Sequence, residues 1–280
     1  MKIATFLAEK GGVGKTTILY NFAEWLSTPE DVELLPGVYG AGKKVLMIDL
    51  DQQASLTETY NKMTFDGSSA NMLRNQPVNI VAIRENIDLI PGSFALEQAA
   101  DEAALKPGRE LLLYWYFNDF NNQYDWEQYD YILIDAHPDF KLVNQNIAAI
   151  ANIIVSPLEP SKFGVSAKAK IEARLGMFKE QPSMRNPTTR ESLVTAELVF
   201  FNNMIKHNEA ASHRLLEATD DDETVIATID HRSMFPKSVE QQFPISEMVL
   251  DTAIRNKFRK FFEKTFGEFT FIKQAIDLVE

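Results

Sequence analysis

The sequence contains no cysteine. Disulfides, cysteine-ligated zinc and thiolate-held iron–sulfur clusters are therefore excluded, and the composition suits a reducing cytoplasm. Nor does any apolar stretch approach the roughly 18 to 20 residues needed to cross a bilayer. The amino end, MKIATFLAEK, has no extended apolar core and does not read as a signal peptide. Repeats, low-complexity tracts and linker-like segments are missing too, so the 280 residues are expected to form one soluble domain with a substantial core. Positive charge is scarce: 28 Lys and Arg against 40 Asp and Glu leave a net charge of −12. That balance disfavours a dedicated binder of polyanions.

The basic residues that are present are gathered in two places. Residues 161–190 hold Lys162, Lys168, Lys170, Arg174, Lys179, Arg185 and Arg190 against Glu172 and Glu180. Residues 254–264 hold Arg255, Lys257, Arg259, Lys260 and Lys264 against Glu263. Each stretch could be a phosphate-contacting surface or simply a solvated helix face.

Short apolar runs at 2–8, 44–50, 129–136, 152–158, 192–201 and 223–229 read as strands, with 86–91 a weaker candidate. Most are near-continuous rather than alternating, as strands buried on both faces of a parallel sheet are. Helical patterns fill 15–27, 93–119, 140–150, 161–178, 207–218 and 246–264. The alternation predicts an α/β fold: a doubly wound, mainly parallel sheet with helices on both faces. The segment from about 27 to 43, with two prolines and three glycines, reads as an insertion-like loop or short hairpin.

The first chemical signal is AEKGGVGKTT, residues 8–17, placed between the first strand and the first helix. Its glycines let backbone N–H groups close around phosphates at a helix N-terminus. The cradle comprises Gly11, Gly12, Val13, Gly14, Lys15, Thr16 and Thr17; Lys15 reaches the β and γ phosphates and Thr16 ligates Mg²⁺. The usual G-x-x-x-x-G-K-[ST] pattern would begin at position 9, where this chain has Glu9, followed by an extra lysine, Lys10. A second signal is YDYILIDA, an apolar strand delivering Asp135 to its carboxyl edge, where open α/β sheets bind ligands and where it would hold the metal. The third is IDLDQQASLT, which puts Asp49 and Asp51 at another strand end, able to place the metal or orient the attacking water.

Together, KGGVGKTT, VLMIDLDQQASLT and YDYILID make the chain resemble the ParA/MinD family of deviant Walker A ATPases. The likeness extends through NIIVSPLEPSKFGV (152–165) and, more weakly, through TIDHRSMFPKSVEQQFPISE (228–247), a region that in ParA proteins lies beside the adenine. The resemblance implies a P-loop ATPase with ATP and Mg²⁺, cycling between a monomer and an ATP-bound sandwich homodimer. It makes Lys10 the lysine that reaches the partner's nucleotide, and Asp51 the hydrolytic carboxylate. Asn202 and Asn203, expected just past a strand, are both left open as the base-contacting asparagine. Gln52 stands where the family's D-x-D-P-Q has proline, and His137 and Asp139 fall where T-P-P-S is common. His137 is read as a loop residue rather than a catalyst.

Three roles compete within this resemblance. One is DNA partition, with non-specific DNA and a ParB-like activator as partners; the chain starts at its first strand, so no amino-terminal sequence-reading module is expected. Another is positioning of a protein cargo through an adaptor, with the nucleoid as track. The third is MinD-like membrane binding through Ile254, Phe258, Phe261 and Phe262, which is disfavoured because more apolar chain follows and core packing is the simpler use of that face. A cytoplasmic protein, nucleoid-associated when ATP-bound, is the resulting expectation. A tyrosine-kinase member is disfavoured by the absence of tyrosine after Tyr131.

Overall fold

The computed structural model describes residues 1–64, 66–161 and 164–279, apart from the side chain of Val165. Lys162, counted above in the first basic stretch, lies outside the described residues. β1 (Lys2–Phe6) runs through the glycine-rich loop into α1 (Lys15–Ser27). A hairpin of β2 (Glu33–Leu35) and β3 (Val38–Tyr39) precedes β4 (Val45–Leu50), α2 (Ser55–Thr59), α3 (Ala70–Arg74), β5 (Val81–Arg84) and β6 (Ile87–Ile90). Then come α4 (Ala95–Ala103), α5 (Leu112–Asp119), β7 (Tyr131–Ala136), α6 (Leu142–Ile150), β8 (Ile153–Leu158) and α7 (Gly164–Lys179). The chain closes with β9 (Glu197–Ile205), α8 (Ala210–Thr219), β10 (Val225–Asp230), α9 (Met234–Glu240), α10 (Ile245–Met248) and α11 (Thr252–Leu278).

Eight strands form one sheet in the order β10-β9-β8-β1-β7-β4-β6-β5, parallel except for β5, which pairs antiparallel with β6 at the edge. Alternate residues of each strand feed opposite cores, as the two-residue side-chain period requires. Ala4, Phe6, Val45, Met47 and Leu133 pack with α1, α9, α10 and α11. Ile3, Leu46, Ile48, Ile132 and Ile134 pack with α4, α6 and α7 on the other face. The doubly wound α/β expectation therefore holds. Every residue of β4, β7 and β8 is buried, which is why those runs lack polar alternation.

Several boundaries differ from the sequence expectation. The span 93–119 is two helices, because Pro107 cannot donate to a helix and Gly108 adopts a left-handed φ of 65°. The strand expected at 192–201 begins at Glu197, where pairing with Ile153 of β8 starts, and runs through Ile205. Asn202 and Asn203 thus lie inside β9, not past it. The helix expected over 246–264 is α10 plus α11, broken at Phe258 but continuing to Leu278. The edge strand β5 and the short helices α2, α3 and α9 were missed, each too brief to show a period.

Helix α1 is buried almost all round, which brings an acidic side chain into the interior. Glu24 is 3% exposed and is met by Arg84 Nε at 3.0 Å and by the Tyr60 hydroxyl at 2.8 Å. Burial raises its pKa, with the Arg84 charge pulling the other way. Arg84→Ala removes that counter-charge and is expected to cost about 2–3 kcal/mol, below the usual 3–5 for a buried pair because Arg84 is part-exposed. Urea unfolding measures it, and a variant as stable as wild type would show that Tyr60 alone suffices.

Candidate nucleotide site

The loop after β1 closes on the first turn of α1. Gly14 adopts φ 86°, and a Cβ there would meet Asn203 Nδ2 at 2.6 Å, so only glycine fits the turn. Asn203 donates from Nδ2 to the Val13 carbonyl at 2.8 Å, tying β9 to the loop. Lys15 is 6% exposed at the start of α1. Thr16 Oγ1 donates to Asp135 Oδ2 at 2.6 Å, and Asp135 Oδ1 is buried with no partner among the described residues.

Asp135 and Asp49 are register partners on adjacent strands, and both are fully buried. Burial raises the pKa of Asp135, and the neighbouring Asp49 raises it further against the opposing pull of Lys15. Burial likewise raises that of Asp49, whose hydrogen bonds from Thr57 pull the other way. An orphaned carboxylate oxygen beside a threonine hydroxyl fits Mg²⁺, which keeps several waters and needs few protein ligands.

Asp49 is more occupied than its sequence suggested. Its Oδ2 accepts from the Thr57 N–H at 2.8 Å and the Thr57 hydroxyl at 2.7 Å, while Oδ1 accepts from the Asp51 N–H at 3.2 Å. It thereby fixes the turn that presents Asp51. Asp51 Oδ1 accepts from the Gln53 N–H at 2.9 Å, and His137 Nδ1 lies 2.9 Å from the same oxygen. The structure brings His137, read from sequence as a loop residue, directly onto Asp51.

The two asparagines face opposite ways, as neighbours on a strand must. Asn202 donates to the Thr219 hydroxyl at 2.9 Å, toward α8. Asn203 lines a cavity of about 260 Å³ beside Gly14 and Thr17, with Asp230, Arg232, Phe235 and Pro236 on its other walls. Those last residues belong to the 228–247 region, which α1 anchors directly: Asn21 Nδ2 donates to Ser238 Oγ at 2.8 Å, and Asn21 Oδ1 accepts from the Ile245 N–H at 3.0 Å. Sequence alone could not find these ties, since they join residues more than two hundred positions apart.

Lys10 is not part of the cradle's buried floor. Its side chain is 56% exposed and ion-paired with Glu159, just past β8. Glu9 in turn pairs with Arg174 of α7 at 2.8 Å. Exposed pairs of this kind contribute little stability and break easily. The two basic stretches lie on opposite faces of the sheet, because α7 packs in one core and α11 in the other. In the first, Lys168 pairs with Glu172 and Asp222, Arg174 with Glu9 and Arg185 with Glu180, while Lys170, Lys179 and Arg190 have no ion-pair partner among the described residues. In the second, Arg259 pairs with Glu263 and Lys264 with Asp230, while Arg255, Lys257 and Lys260 have no ion-pair partner among the described residues. Most of the apolar side of α11 is spent internally: Phe262, Phe266, Phe269, Ile272 and Ile276 are buried and Ile254 and Phe261 pack partly against the same core, while Phe258 is exposed.

A strand, a glycine-rich loop running into a helix with Lys15 and Thr16 at its start, and a strand-end aspartate holding that threonine define a P-loop nucleotide-binding protein. The family described as an AAA domain matches residues 1–188. The chain belongs to this family, in its ParA/MinD branch. It is 29% identical over 173 residues to the chromosome-partitioning ATPase Soj of Treponema pallidum, covering 59% of each chain. It thus spans about three fifths of the length of that curated relative. A plasmid partition protein from Borrelia burgdorferi bound to AMPPNP has the same fold, with TM-score 0.71 at 20% identity over 96% of this chain and 98% of that one. So does the ATP complex of McdA from Cyanothece, with TM-score 0.75 at 17% identity over 98% and 96%.

Proposed function

We propose that residues 1–280 act as one ParA-type ATPase domain that binds ATP and Mg²⁺, dimerises over two nucleotides and binds DNA non-specifically as the ATP dimer, in DNA partition. The observation that carries this reading is a complete phosphate cradle accompanied by a second lysine, Lys10, half exposed and paired with Glu159. Released from that pair, Lys10 supplies a cation to the partner's phosphates, as an arginine finger does in trans. Thr16 and Asp135 hold the metal, with Asp49 behind them, and Asp51 handles the attacking water. Asn203, rather than Asn202, faces the base. Both basic stretches keep cations outside ion pairs among the described residues for DNA phosphates, Lys170 and Arg190 in the first and Arg255, Lys257 and Lys260 in the second, and hydrolysis is slow until a ParB-like or adaptor partner stimulates it. The protein is accordingly placed in the cytoplasm, on the nucleoid while ATP is bound.

Lys10→Ala is expected to bind ATP as the wild type does, yet to lose both ATP-dependent dimerisation and retention on DNA. Light scattering and a non-specific DNA binding assay with ATP, ADP or no nucleotide check this. Wild-type retention should need ATP and weaken steeply with salt. Equal retention with ADP, or normal dimerisation of Lys10→Ala, would overturn the reading.

A further inference from the structure

Two residues that depart from the family pattern meet in space. Gln52 and His137, each standing where that pattern has proline, are 85 positions apart, yet Gln52 Nε2 lies 3.4 Å from His137 Nε2. The other ring nitrogen, Nδ1, lies 2.9 Å from Asp51 Oδ1. A neutral imidazole has one N–H and one lone pair, and a carboxylate only accepts. One tautomer therefore satisfies both contacts: Nδ1–H donates to Asp51, and Nε2 accepts from the Gln52 amide. With the Gln53 N–H, this gives Asp51 Oδ1 two donors, while Oδ2 has none among the described residues.

The loop that carries the imidazole is itself held. Asn144 of α6 is fully buried, and its Nδ2 lies 2.7 Å from the carbonyls of both His137 and Asp139. The His137 side chain is only 24% exposed. It is thus anchored from behind and aimed at one oxygen of one carboxylate.

We propose that His137 is a positioning residue for Asp51: it clamps Oδ1, so that Oδ2 is presented to the attacking water, and Gln52 selects the imidazole tautomer that does so. Proline at either position has no side-chain hydrogen bond to offer, so this clamp belongs to the present sequence. The inference rests on the reading of Asp51 as the hydrolytic carboxylate.

The test compares steady-state ATP hydrolysis and ATP affinity in His137→Ala, His137→Asn, Asp51→Ala and the Asp51→Ala/His137→Ala double variant. His137→Ala should lower kcat about tenfold, the coupling expected of a contacting pair, with KM and ATP affinity unchanged. His137→Asn, whose amide nitrogen replaces the Nδ1–H donor, should recover most of the loss. In the Asp51→Ala background, His137→Ala should cost nothing more. Wild-type kcat in His137→Ala beside a defective Asp51→Ala would overturn this inference alone. Equal losses in the Ala and Asn variants, or an additional loss on top of Asp51→Ala, would also overturn it, since packing rather than the hydrogen bond would then matter. Hydrolysis indifferent to Asp51→Ala would overturn the reading of Asp51 as well.

Discussion

Lys15→Ala is expected to abolish ATP binding at ordinary nucleotide concentrations while leaving the fold intact. Lys15 is buried at the loop-to-helix junction, where its charge acts on the Asp135 carboxylate. Without it, the phosphates would enter a pocket facing Asp135 and Asp49 with no fixed cation to oppose them. Losing one partner of a buried, hydrogen-bonded charge pair costs about 2–5 kcal/mol, or about 30- to 5,000-fold in affinity. Titration with a fluorescent ATP analogue, alongside a thermal melt to verify folding, measures it. Binding at wild-type affinity would remove Lys15 from the phosphate site. Lys10→Ala makes the contrast, because Lys10 lies outside the buried floor and its loss should spare binding.

Asp51→Ala should do the reverse: ATP still binds and the dimer still forms, but turnover falls about 100- to 10,000-fold, the range for removing a general base. Asp51 is suited to this role by its setting. Asp49 fixes the backbone turn that carries it, and two donors hold one carboxylate oxygen while the other has no donor among the described residues. Single-turnover phosphate release and light scattering separate the two effects. Normal phosphate release in the variant would show that the water is handled elsewhere, and a failure to dimerise would show that Asp51 shapes the interface instead.

Much of the site was legible because it is local. Gly11 to Thr17 form one continuous loop-to-helix segment whose spacing dictates a phosphate cradle, and Asp135 and Asp49 each end an unbroken apolar run. The fold class was legible for the same reason, since strands buried on both faces must be apolar throughout. The misread elements are those in which neighbours decide. Pairing with β8, not apolar content, sets where β9 begins, and so moves Asn202 and Asn203 from a loop into a strand. The long helix expected at 93–119 fails at Pro107 and Gly108, a break that the surrounding apolar period concealed.

By itself, then, the sequence determined the α/β architecture, the phosphate loop with its additional lysine, and the carboxylates at the strand ends, because each is a short-range pattern of backbone freedom, charge and burial. Only the tertiary structure decided which asparagine faces the loop, since adjacent residues of β9 point to opposite sides of the sheet. It alone put the two basic stretches on opposite faces, and it alone set His137 against Asp51. Those relations depend on strand order and on contacts between distant segments, and a linear pattern of residue types carries no trace of either.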